Sequence, residues 1–257
     1  MRWCAAVLAL VVFASVEPGA AAPTAASLDG LQTEVFGSHG GKTLLGAHPP
    51  VAPDTSPEGL PQDLYELSPE GALRPLARGV SFAAYAPDGA VLYVRDGALF
   101  ELSRGESRLL AQPVLGDFAV DPLGQRIAIA RPDSEPDSWL ELIDRSGRHL
   151  AVLIEPRGPN AWPLFSAGGD TVYFISGSTG VYSWFSVGVD GEGLRQLTNH
   201  GLKPGPDVLG AAFVPPPAFK SSIHFIGPAL VEYDAGDGLW RLDLATGKAE
   251  RIGEVRP

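Results

Sequence analysis

Cleaving a glycosidic bond takes two carboxyl groups a few ångströms apart, one to protonate the leaving oxygen and one to act as base or nucleophile. Among the 30 acidic residues, Asp117 and Asp121 in Gly116-Asp-Phe-Ala-Val-Asp121 are the first to consider, because they flank one short strand-like segment. The competing reading is structural, since an Asp beside a turn caps backbone N–H groups. Serine-hydrolase chemistry needs a nucleophile on a strained turn with a base and an orienting acid nearby. No Gly-x-Ser-x-Gly occurs, and Ser178 in Gly177-Ser-Thr-Gly180 reads as a strand-connecting turn. Metal chemistry needs clustered ligands. His39, His48, His149, His200 and His224 show no paired spacing, and Asp133-Ser-Glu-Pro-Asp137 opens like a calcium loop but lacks its turn glycine and closing Glu. That segment reads as a solvated hairpin loop. The only cysteine, Cys4, stands in the first residues, so thiolate chemistry and disulfides are excluded beyond them. No catalytic, cofactor-binding or metal-ligating residue is assigned, and no cofactor is expected.

The elements that would position any site are repetitive. Residues 63–77, 98–111, 139–153, 183–197 and 238–252 share one pattern: a short strand, a Gly-containing turn, and a second strand with an Arg or His near its start in the first four. Each of the last four hairpins follows another pair of strand-like segments: 81–89 with 90–94, 116–124 with 125–130, 160–169 with 170–175, and 208–217 with 221–226. The second member of each pair, such as Ile127-Ala-Ile-Ala or Val172-Tyr-Phe-Ile, is apolar on both faces and belongs between sheets. The third strands should alternate more, being nearer the rim. Four strands per unit of about 35 to 55 residues is the signature of a β-propeller blade. The predicted fold class is therefore all-β, a propeller of four-stranded antiparallel blades. Five blades are favoured and six are the alternative. Tyr182 and Trp184 share one face of their strand, a position that favours packing between blades over exposed binding surface.

Composition agrees. The chain is 45% hydrophobic, and 31 Gly and 24 Pro suit many tight turns rather than long helices. A net charge of −11 repels nucleic acid and anionic lipid. Residues 1–21 read as a secretory signal peptide: Met1-Arg-Trp-Cys4 is a positive start, residues 5–16 are apolar but for Ser15, and small residues around Ala21 suit a peptidase. The apolar stretch is too short to span a bilayer, and Cys4 precedes it, which argues against a lipid anchor. A periplasmic or secreted protein without membrane insertion is expected.

Tyr85-Ala-Pro-Asp-Gly89 before Val91-Leu-Tyr-Val94, and Trp162-Pro-Leu-Phe-Ser-Ala-Gly-Gly-Asp-Thr-Val-Tyr-Phe-Ile-Ser176 closing in Val189-Asp-Gly-Glu-Gly-Leu-Arg-Gln-Leu-Thr198, resemble the WD40-like repeat of TolB-type periplasmic propellers. The resemblance covers residues 60–253 and implies Trp162 as a packing aromatic. The third unit keeps only Asp121-Pro-Leu-Gly124 of the Pro-Asp-Gly turn, and the fifth has Pro215-Pro-Pro-Ala-Phe-Lys220 in its place. That family carries an α/β domain ahead of a six-bladed propeller, whereas only about 55 residues here precede the first clear hairpin, so a relative rather than TolB itself is expected. Residues 22–60 are expected to contribute to the first blade, with 31–47 as its inner strands, and to close the ring; residues 61–257 hold the repeats. The functional expectation is a non-enzymatic binding module for protein–protein recognition, its partner another envelope or extracellular protein. The alternative is a carbohydrate-active enzyme with axial carboxylates.

Overall fold

The computed structural model describes residues 28–50, 60–134, 137–199, 224–227, 229–235 and 238–254. The leader expected at 1–21 lies outside the described residues. Among them every regular element is a strand, and every strand pairing is antiparallel. β1 (Gln32–His39), β2 (Lys42–His48), β3 (Gln62–Leu67) and the first half of β4 (Leu73–Tyr85) form one four-stranded unit. The second half of β4 continues into the next unit with β5 (Val91–Arg95), β6 (Ala98–Ser103) and β7 (Glu106–Ala111), so one 13-residue strand welds the two into a seven-stranded sheet. Separate four-stranded sheets follow: β8 (Phe118–Val120) to β11 (His149–Ile154) through β9 (Arg126–Pro132) and β10 (Ser138–Asp144); then β12 (Asn160–Phe165), β13 (Thr171–Ser176), β14 (Ser183–Gly188) and β15 (Arg195–Gln196). The last described sheet holds β16 (His224–Gly227), β17 (Leu230–Asp234), β18 (Leu239–Asp243) and β19 (Lys248–Gly253). These are the blades of a β-propeller, and the echoed hairpins are their third and fourth strands.

Side-chain alternation explains why the blades stack. In β5, Val91 and Tyr93 join Leu44 and Leu64 of the first blade, while Leu92 and Val94 join Ile127 and Ile129 of the third. In β13, Val172 and Phe174 pack back onto Leu140 and Leu142, while Tyr173 and Ile175 pack forward onto Val231, Tyr233 and Leu242. A period of two turns successive residues to opposite faces, so an all-apolar strand is sealed only when a blade lies on each side. Each large side chain so buried contributes about 1.5–3 kcal/mol.

Two expectations are corrected. The fifth unit does not take 221–226 as its second strand: residues 224–227 form its first, and the five-residue Leu230-Val-Glu-Tyr-Asp234, with Val231 and Tyr233 fully buried, forms its second. A short strand without a Pro-Asp-Gly turn before it left little pattern to read; residues 208–217 lie outside the described residues. The third strands also fail to alternate uniformly. β3 does, but β10 and β14 are buried along most of their length because the neighbouring blades cover both faces, and exposure shifts to β7 and β11.

Turns lock neighbouring blades. Ala86-Pro-Asp-Gly89, Asp121-Pro-Leu-Gly124 and Ser166-Ala-Gly-Gly169 make the same turn, the last glycine N–H donating to the first carbonyl at 2.8, 2.8 and 2.9 Å. Pro87 lies against Gly124 of the next blade, and Pro122 against Gly169, where an added Cβ would stand 3.5 and 3.2 Å from the ring. Farther out, Arg145 pairs with Glu101 of the preceding blade and donates to the Gly124 carbonyl, and Arg108 donates to the Arg145 carbonyl at 2.7 Å.

Two outcomes test this architecture. Gly89 (φ +83°) would place a new Cβ against the movable His39 ring, whereas Gly147 (φ +87°) would drive one into the backbone carbonyl of Leu110. Gly89→Ala is expected to cost the left-handed penalty of about 1–2 kcal/mol, and Gly147→Ala about 1–3 kcal/mol more from overpacking; equal denaturant midpoints would refute the close approach. The expected closure of the ring by residues 22–60 is tested by removing them. β2 hydrogen-bonds along β3 from Thr43↔Leu67 to Ala47↔Asp63, so a protein beginning at Gln62 should aggregate or melt far below one beginning at Ala22.

Candidate functional site

The first strand of each blade lies innermost, and three of them bound a cavity of about 510 Å³. The second half of β4 contributes Phe82, Ala84 and Tyr85; β8 and the residues around it contribute Asp117, Phe118 and Pro122; β12 and its turn contribute Trp162, Pro163, Phe165 and Ser166. Trp184 reaches the same wall from β14. Phe82 and Phe118 meet edge to face at 5.2 Å, with Phe36 set edge-on to Phe82 at 6.0 Å. The wall is thus mostly apolar, with six aromatic side chains among its fifteen described residues, none of which is Lys, Arg or His.

Trp162 owes its position to a break in the strand. The β12–β13 register slips between Ala161 and Leu164, and Trp162 takes φ +52°, a left-handed conformation rare for a bulky residue. A bulge of this kind re-aims a side chain. Trp162 is consequently half-buried, packing against the cluster between the fourth and fifth blades as the repeat implied while one side lines the cavity. The Trp162-Pro163 pair was the available signal, because proline inside a strand marks a bulge or edge. Trp184 behaves as the sequence suggested: it is 2% exposed and packs edge-on to Tyr233 of the next blade at 6.4 Å. Its Nε1–H is buried without an acceptor, a state that costs about 1–3 kcal/mol. Burial on the same strand face pushes the Tyr182 hydroxyl up to about 12.

The two aspartates singled out by sequence have different fates. Asp117 lines the cavity. Asp121 is fully buried in its turn, where Oδ1 accepts from the N–H groups of Gln125 (2.6 Å) and Arg126 (3.0 Å), and Oδ2 from Arg126 Nε at 2.9 Å. Burial alone would raise its pKa, but the bonds from Arg126 and Gln125 outweigh it and hold the carboxyl below its ordinary value. Asp121 is therefore a cap and an ion-pair partner, and no second carboxylate joins Asp117 among the described lining residues. The other remaining candidates also have structural duties. Ser178 sits in a turn held by Gly180 N–H on the Gly177 carbonyl, its Oγ beside that of Ser176 at 3.1 Å. Asp133 accepts from Trp139 Nε1 at 3.0 Å, closing a hairpin loop. Among the described residues no three of His, Cys, Asp and Glu gather as a metal site.

A charged cleft of about 570 Å³ lies between the first two blades. Its buried carboxylate, Glu66, accepts from Lys42 (3.2 Å), Arg74 (2.9 Å) and Tyr85 (3.1 Å). Burial opposes ionisation there, yet these bonds keep Glu66 low, while burial and the adjacent carboxylate push Tyr85 well above its usual range. Such a saturated carboxylate holds the seam and has no proton to offer.

No protein-family model matches the chain, and no curated protein sequence matches it significantly. Solved structures do. An oligogalacturonate lyase from Vibrio parahaemolyticus is 14% identical with a TM-score of 0.57, over 90% of this chain and 68% of that one. TolB from Acinetobacter baumannii is 13% identical with a TM-score of 0.55, over 76% of this chain and about half (49%) of its own. A chain of a nidogen/laminin complex is 12% identical with a TM-score of 0.55, over 84% and 76%. At such identities the likeness shows the fold, a β-propeller.

Stability measurements separate the roles of these residues. Trp162→Gly removes a half-buried ring but also the left-handed penalty, so it should cost much less than Trp184→Ala, which empties a fully packed site at about 3–5 kcal/mol. The lowered pKa of Asp121 contributes stability that is complete above the unfolded value of about 4 and is lost as pH falls through the folded value. Asp121→Asn should therefore lower the melting temperature at pH 7 and flatten its decline between pH 5 and pH 2. An unchanged acid profile would remove the cap from the account.

Proposed function

We propose that this chain is an exported, non-enzymatic binding module that recognises another envelope or extracellular protein through its aromatic axial cavity. The cavity wall carries the reading: six aromatic side chains line it, and buried Trp and Tyr are where binding energy concentrates. The polar side chains nearby are engaged in holding turns and seams, as with Tyr85 on Glu66 and Ser166 Oγ donating to Asp170 Oδ1 at 2.7 Å. A hydrolytic or eliminating site needs groups able to take and give protons at the reacting atom. The carbohydrate-active alternative draws on the shared fold with the oligogalacturonate lyase and on Asp117 in the wall.

The test uses the full chain as bait in its native envelope fraction, beside Trp162→Ala at matched thermal stability. One partner protein should be retained by the parent and lost by the variant. Turnover of oligogalacturonate by the parent, abolished in Asp117→Asn, would replace this reading with the enzymatic one.

A further inference from the structure

We infer that the cleft between the fourth and fifth blades binds a carboxylate supplied from outside the chain, at a place where the first two blades supply their own. The site is separate from the axial cavity. In the first blade Leu44, Glu66 and Arg74 stand opposite one another across the second, third and fourth strands, and in the second blade Leu92, Glu101 and Arg108 do the same. Each Glu accepts from the Arg beside it, and Glu66 also accepts from the Tyr85 hydroxyl at 3.1 Å. The third blade has Leu142 and Ala151 in these places, with no charge to match. The fourth keeps the Arg and lacks the Glu, so that its row reads Tyr173, Ser186 and Arg195.

Residues directly opposite one another share a face of the sheet, and this row lines a cleft of about 500 Å³ beside Leu244 and Ala245 of the fifth blade. Among the described residues Arg195 has no ion pair, and its one hydrogen bond is a long one of 3.4 Å to the Ala245 carbonyl. Tyr173 and Ser186 are 5% and 7% exposed, and neither hydroxyl has a hydrogen-bond partner among the described residues. Both hydroxyls nevertheless keep accessible surface in the cleft. A guanidinium with open donors beside two free hydroxyls suits a planar group that only accepts, and a carboxylate is the group that Arg74 and Tyr85 hold in the first blade. Burial, Asp170 and Asp243 push the Tyr173 hydroxyl above its usual range despite Arg195, so it stays protonated and donates. Those two acids, with Asp190 and Glu192 in the cleft wall, favour a single negative charge over a phosphate dianion.

The experiment titrates the full chain, labelled with ¹⁵N in its arginine side chains, with acetate, acetamide, inorganic phosphate and the blocked peptide acetyl-Gly-Glu-Gly-amide. Acetate should bind about tenfold tighter than acetamide, the worth of one charge-assisted hydrogen bond, and should move one arginine Nε–H resonance. That resonance is assigned by its absence in Arg195→Gln, in which acetate should fall to the affinity of acetamide. Ser186→Glu, which restores the carboxylate of the first two blades, should also abolish acetate binding. Should one variant melt early, the other decides. Binding of the peptide at least as tight as that of acetate would assign the carboxylate to an acidic side chain of a protein, and binding of acetate without the peptide would assign it to a small free acid; both uphold the site. Equal affinity for acetate and acetamide, tighter binding of phosphate, undiminished acetate binding by Arg195→Gln, or no binding by any probe would each overturn the inference. None of these outcomes bears on the axial cavity.

Discussion

A strand that is apolar on both faces has no stable existence at the edge of anything. β5, β9 and β13 are such strands, and each can be sealed only by a blade in front and a blade behind. From that single requirement come the face-to-face order of the sheets and the exposure of the outermost strands. So does the crowding of first strands around an axis that side chains must either fill or leave open. Where Phe82, Phe118 and Trp162 line it, they leave a cavity.

Blade contact by apolar faces alone would permit sliding, and the arginines remove that freedom. Arg145 reaches Glu101 and the Gly124 carbonyl, Arg126 reaches Asp121 and the Gly169 carbonyl, and Arg195 reaches the Ala245 carbonyl at 3.4 Å. Each lies at a turn and reaches a neighbouring blade. A planar guanidinium with five donors can hold two acceptors in fixed directions, which a lysine ammonium cannot do as well. This also explains the Arg that recurs at the start of the fourth strands: Arg74 and Arg108 sit opposite Glu66 and Glu101 of the third.

Sequence alone carried the blades further than the site. Period-two runs such as Val91-Leu-Tyr-Val94 state their own packing, and Pro87-Asp88-Gly89 states its turn, because both depend on residues adjacent in the chain. The strand Leu230–Asp234 escaped because its alternation spans only Val231 and Tyr233 and no Pro-Asp-Gly turn announces it. The cavity escaped for a different reason. Phe82, Phe118, Trp162 and Trp184 come from three blades, and no local pattern distinguishes a ring that closes the core from one that lines a void. Asp117 and Asp121 looked equivalent in sequence, and only the fold turned one to the cavity and the other into a cap.

The turn that sets Pro87 against Gly124 and Pro122 against Gly169 has a consequence for how such a chain can grow. The second and third units bring both halves of a joint, a proline ring for the unit after (Pro87, Pro122) and a bare glycine for the unit before (Gly89, Gly124), whereas the fourth, with Ala167 in place of the proline, brings only Gly169. A duplicate of the third unit would therefore set Pro122 of one copy against Gly124 of the next. Duplication of such a unit preserves the joint, whereas a side chain added at Gly124 or Gly169 alone meets a proline that the adjoining unit must move.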